Sequence, residues 1–172
     1  MDTVLFVTIR LFHVLLAAIW LGATVFTSFL LMPAVKDAGP AGGQVMVGLN
    51  RKGIVPFFAS LGGITVLTGL YLYWRFTGGF DPEVSRTHAG MAFGVGGVAG
   101  IIAVIVGGSV VGRSSKKLVD LMVQTTTMPD GTQKGALMQQ AAVLRQRMTT
   151  FGSMVVLLQI VAMVLMVIAH YI

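Results

Sequence analysis

The sequence predicts an all-α integral membrane protein, an antiparallel four-helix transmembrane bundle whose third and fourth helices extend into a cytoplasmic hairpin. Three observations carry this. Of the 172 residues, 55% are hydrophobic and only 10% charged, far below the charged share of a soluble domain. Four apolar runs, residues 4–33, 54–76, 88–112 and 150–172, are each long enough to cross a hydrocarbon core about 30 Å thick, which needs roughly 20 residues of helix. Little chain is left over for a separate soluble domain, so residues 1–172 read as one transmembrane unit.

The first run, IRLFHVLLAAIWLGATVFTSFLLMP, holds an arginine and a histidine where lipid disfavours both. Arg10, His13, Ala17, Trp20, Thr24, Thr27 and Ser28 recur mostly at steps of three and four and share one helix face, while Leu11, Leu15, Ile19, Phe26 and Leu30 fill the opposite face. The polar face is expected to look into the bundle. The run is too long for a signal peptide and lacks a basic leader, so it is expected to remain as the first span.

Residues 33–53 contain DAGPAGG, whose proline and glycines fit a loop. The second span closes with Tyr71, Tyr73 and Trp74, an interfacial aromatic belt. Residues 77–87 form a short, turn-rich connection. The third connection, 113–149, centres on the turn TTTMPDGTQ with good helix formers on either side, and so predicts a hairpin projecting beyond the membrane.

The net charge of +6 does not point to nucleic acid here, because lysine and arginine fall mostly in the connections and act as topology signals. The first connection holds Lys36, Arg51 and Lys52, and the third holds Arg113, Lys116, Lys117, Lys134, Arg145 and Arg147. The second holds Arg75 and Arg86, offset by Asp81 and Glu83. The positive-inside rule puts the first and third in the cytoplasm and both termini outside it, in a bacterial inner membrane. All three histidines, His13, His88 and His170, then lie toward the outer side, with Arg10, Arg75 and Arg86 at a similar level.

Imidazoles on facing helices and arginines near the surface suit a b-type haem and its propionates. In this reading His13 is one axial ligand and His88 or His170 the other, with Trp20 beside the group and the chain passing electrons between a quinone and an extracytoplasmic acceptor. The bland alternative leaves His13 hydrogen-bonded to a neighbouring helix and Trp20 in the core. Copper is the rival cofactor, since imidazole and thioether both bind Cu(I), and would draw on His88, Met91, Met166 and His170. The absence of cysteine excludes thiolate zinc and iron–sulfur sites. Gly90, Gly94, Gly97, Gly108 and Gly112 form a stripe that admits a flat ligand at Gly94 and Gly97, or close packing within the bundle or in a homodimer. A third reading is therefore a cofactor-free accessory subunit of a larger membrane complex. In the last span Gln159, Met163, Met166 and His170 share a face, and Gln159 is its one mid-span polar residue. No span carries a carboxylate and no nucleotide-binding loop is present. A haem-dependent membrane oxidoreductase is the enzyme class left open.

The order His13, Trp20, Gly22 and Pro33 resembles the first span of the copper-resistance protein D (CopD) family. The second span, with Pro56 after Arg51 and TGLYLY at residues 68–73, is similar to that group as well. The resemblance covers about half the chain. It implies a four-helix membrane fold, distantly similar to b-type cytochromes and to HemJ-type protoporphyrinogen oxidases, and a part in copper import. The oxidases pair the corresponding histidine with a lysine in a later span, whereas no span here contains a lysine.

Overall fold

The computed structural model describes residues 2–172, the side chains of Asp2 and Pro40 excepted. The described chain is helical, with no strand. Four continuous helical stretches, Thr3–Asp37, Ile54–Phe76, His88–Thr126 and Thr132–Ile168, are long and apolar enough to cross a membrane. The first comprises α1 (Asp2–Phe26), a π-helical turn π1 (Thr27–Leu31) and α2 (Met32–Asp37). α3 (Gly39–Arg51) leads into the second, α4 (Ile54–Phe76). After the one-turn α5 (Pro82–Ser85), the third comprises α6 (His88–Val106), a second π-helical turn π2 (Gly107–Gly112) and α7 (Arg113–Thr126). The fourth is α8 (Thr132–Ile168).

α1 packs on α4, α4 on α6, α6 on α8, and α8 returns to α1. Residue pairing makes the neighbours antiparallel. His13 meets Thr65 and Trp20 meets Gly62 across α1 and α4, while Arg10 meets His170 and Ser28 meets Gly152 across α1 and α8. The outer surface of this ring is apolar, with Leu67 at 68% and Leu157 at 62% exposed and Leu11, Leu15, Ile19, Phe26 and Leu30 all turned outward. An unbroken apolar exterior of this kind is costly in water and ordinary in lipid. The chain is a multi-pass membrane protein.

The third and fourth helices run on past the apolar girdle as the α7–α8 hairpin. There Leu118, Leu121, Ala141, Leu144 and Met148 bury a second small core, closed by Met46 of α3. This corrects the expectation of a loop at residues 33–53, which is helical on both sides of Ala38. Gly39, at φ +56°, supplies the left-handed residue that turns the chain from α2 into α3, and Gly53, at φ +83°, does the same before α4. Pro40 stands in the first turn of α3, where a missing N–H costs nothing. The helix-breaking residues punctuate this segment instead of unwinding it.

At the opposite end, Asp81 and Thr87 cap α5 and α6 by accepting from the backbone N–H groups of Glu83 and Gly90. A further correction concerns the last span: α8 stops at Ile168 and residues 169–172 lie beyond it. His170 sits in the terminal turn rather than on the helix.

Candidate functional site

His13 is buried at 8% exposure on the inner face of α1. Its Nδ1 lies 2.9 Å from the carbonyl oxygen of Thr65 and 3.1 Å from Thr68 Oγ1. A carbonyl only accepts, so Nδ1 carries the proton. Thr68 sends its own hydroxyl proton back to the Ile64 or Thr65 carbonyl and can accept from the ring as well. In the neutral imidazole the remaining lone pair is then on Nε2, which makes no hydrogen bond among the described residues. The ring rests on Gly69 of α4, where an added Cβ would stand 2.9 Å from His13 Cε1. α4 thus fixes both the tautomer and the tilt of the ring.

The other histidines are placed differently. Arg10 donates from Nη2 to His170 Nε2, and His170 Nδ1–H donates 2.9 Å to the Met166 carbonyl one turn earlier. Both nitrogens of His170 are therefore engaged, and its ring stands edge-on to Phe93 with centroids 5.3 Å apart. Arg10, which shares the level of the histidines, ties α1 to the end of α8 through this contact. His88 is exposed at the start of α6, and no hydrogen bond or ring contact links it to His13 or His170. Arg75 and Arg86 are exposed near the same end of the bundle. Met91 is exposed, while Met166 packs beside Gly96. Among the described residues, no three His, Asp or Glu side chains come together as a metal cluster.

Trp20 is core, closed in with Leu61, Ala103 and Val155. The space at Gly94 is taken by Tyr73, whose hydroxyl would be 3.2 Å from an added Cβ, while Gly97 faces open space. The close approach of α6 to α8 lies on a neighbouring line, through Ala92, Gly96, Ala99 and Ala103. There a Cβ at Gly96 would stand 3.2 Å from the Ala162 carbonyl oxygen. Small residues of either type serve such a seam; glycine counting alone picked out the adjacent stripe.

Gln159, which the spacing places on an inward face, is 5% exposed, and neither its amide nitrogen nor its oxygen has a partner among the described residues. A buried amide without partners is costly and asks for an explanation. One turn away, toward the hairpin, lies a partly open cavity of about 190 Å³. Its lining is chiefly apolar, with Trp20, Phe58, Val104 and Val155 contributing, and both π-helical turns border it through Thr27, Ser28, Gly107 and Gly108. Such turns widen a helix locally and recur at functional sites. The sequence reading put Thr27 and Ser28 on the inward face, but periodicity cannot signal a π-turn, so it missed the cavity.

No family model, curated protein or solved structure matches the chain.

Proposed function

We propose that this protein is a b-type haem protein of a bacterial inner membrane that transfers electrons between a quinone and an extracytoplasmic acceptor or partner, with His13 as the resident axial ligand. The observation that carries this reading is the state of the His13 ring: Nδ1–H is held by the Thr65 carbonyl at 2.9 Å, and Nε2 is left with a lone pair and no protein partner. A backbone carbonyl accepting from Nδ1–H is one of the usual ways in which metal-bound imidazoles are oriented. The buried amide of Gln159, without a partner among the described residues, fits a bundle interior arranged for a guest.

A haem bound here would supply a one-electron iron couple. The protein's part is to hold the His13 ring on Thr65, keep bulk water away through the apolar wall, and set Arg10 about one turn above His13, near where propionates would reach the surface. His170 serves as the second ligand only by leaving Arg10; without that exchange one imidazole holds the group. The basic hairpin end, with Arg113, Lys116 and Lys117, favours the cytoplasm, which leaves both termini extracytoplasmic. The likeness of the first two spans to the CopD family supports the same four-helix assignment.

The test is an absorption spectrum of detergent-purified protein before and after dithionite, with a pyridine haemochrome assay on the same sample. The expected result is a Soret band that shifts on reduction and is lost in His13→Ala. Stoichiometric copper without haem would move the assignment to copper handling. A colourless, metal-free protein that co-purifies with a larger complex would make it an accessory subunit.

A further inference from the structure

We infer that the cavity between the two π-helical turns is a binding site for the ring of a membrane-soluble quinone. This inference takes the quinone class from the function proposed above, but stands on different residues from those around His13.

The first support is hydrogen-bonding capacity. In membrane helices a serine or threonine hydroxyl commonly donates to the carbonyl one turn earlier, and Thr8, Thr24, Thr65, Thr68, Ser109 and Ser153 do so here. Thr27 and Ser28, both on the cavity wall, form no such bond. Their turn runs with the wider π spacing, Met32 N–H reaching the Thr27 carbonyl, and Ser28 Oγ lies beside Gly152, another residue of the cavity wall. Ser115, 5% exposed, also lines it; its oxygen accepts from Asn50 Nδ2 at 3.1 Å, leaving its own proton free. Three buried or half-buried hydroxyls with donor capacity thus line one chiefly apolar space.

The second support is size and shape. An apolar cavity of about 150 Å³ accepts a benzene ring, and this one measures about 190 Å³. Gly108 has no atom within 4 Å of where its Cβ would be, and Gly107 meets only Val155, at 3.9 Å, so the wall at these two residues is bare backbone. Trp20 supplies an aromatic edge at the other end. A flat, uncharged ring carrying carbonyl acceptors matches three donors in an apolar slot. A charged ligand does not, because no ionisable side chain lines the space. The cavity is partly open, which gives an isoprenoid tail an exit.

The test uses the two tryptophans. Trp74→Phe leaves Trp20 as the single reporter, and its emission is followed as a decyl-tailed benzoquinone is added to the purified protein in detergent. Saturable quenching is expected. Thr27→Val and Ser28→Ala should each raise the apparent Kd about three- to tenfold, the worth of a neutral hydrogen bond, and Gly108→Leu should abolish saturation by filling the slot. Decyl alcohol, which has the tail without the ring, should not displace the quinone. Linear quenching by micelle partition, unchanged Kd values in both hydroxyl variants, or displacement by decyl alcohol would overturn the inference. Haem content measured on the same preparations separates the two readings: a haem-loaded protein with linear quenching loses only the quinone site, and a colourless one with saturable, hydroxyl-dependent quenching loses only the haem.

Discussion

The imidazole of His13 lies against the bare backbone of Gly69, so closely that a methyl group there would stand 2.9 Å from Cε1 and 3.5 Å from Nδ1. Two helices are involved, and neither side has slack: the ring is held from one edge by the Thr65 carbonyl and from below by α4. Gly69→Ala should therefore push the ring off Thr65. The expected cost is about 1–3 kcal/mol in stability, as for overpacking elsewhere, and under the proposed haem function haem content should fall toward that of His13→Ala. Denaturation in detergent and haemochrome per protein measure the two effects. Gly63→Ala on the same helix, with no atom within 4 Å of the new Cβ, is the control and should leave both unchanged.

Gln159 makes a prediction of opposite sign. Its amide is buried with no partner, so Gln159→Leu keeps the volume and removes a desolvated polar group. Cofactor-free protein should gain about 1–3 kcal/mol, read as a higher thermal midpoint. If the amide is kept for a bound group, the same variant should hold less haem than the wild type. A midpoint that falls in cofactor-free protein would mean that Gln159 is satisfied within the bundle.

Two adjacent glycines separate packing from open space. At Gly96 a Cβ comes within 3.2 Å of the Ala162 carbonyl, and a branched side chain adds two more carbons in the same place. Gly96→Val should force α6 from α8 and cost several kcal/mol. Gly97→Ala meets nothing within 4 Å and should be neutral, or stabilising by about 0.5–1 kcal/mol through helix propensity. Circular dichroism melts of the two variants, compared in one detergent, check the contrast. Equal losses would place Gly97 on a contact between two copies of the chain.

Much of this architecture was legible because hydropathy and periodicity respond to it directly. The length of the apolar runs gave the four spans. Spacing of three and four placed His13, Trp20, Thr24 and Gln159 on inward faces, and all four are buried. What stayed hidden depends on atoms outside the local repeat. The tautomer of His13 is set by a carbonyl 52 residues away. His170 was read as helical, but the helix ends two residues before it and Arg10 captures the ring. Glycine and proline at residues 39–43 looked like a loop, because propensity does not distinguish a helix start from a break. α3 forms there because Met46 finds the hairpin core.

That hairpin also shows which kind of contact holds the extension beyond the apolar girdle together. Asp130 and Lys134 pair at 2.7 Å across the α7–α8 turn, with the Asp130 side chain 95% exposed. The hydrogen bond from Lys134, and its charge, hold the Asp130 carboxyl below the usual carboxylate range. A depressed folded-state pKa means that the pair's contribution is present above the ordinary carboxylate value near 4 and fades as pH falls below it. Solvent screening keeps such a contribution small, so Asp130→Asn should leave the melting curve nearly unchanged at neutral pH. Leu118 is a different case: at 1% exposure it sits in the middle of the second core with Met46, Leu121 and Leu144. Leu118→Ala should cost about 2–5 kcal/mol, and hydrogen exchange should rise across α3, α7 and the first turns of α8. If the two variants behaved alike, the hairpin would be held by its turn and not by its buried face.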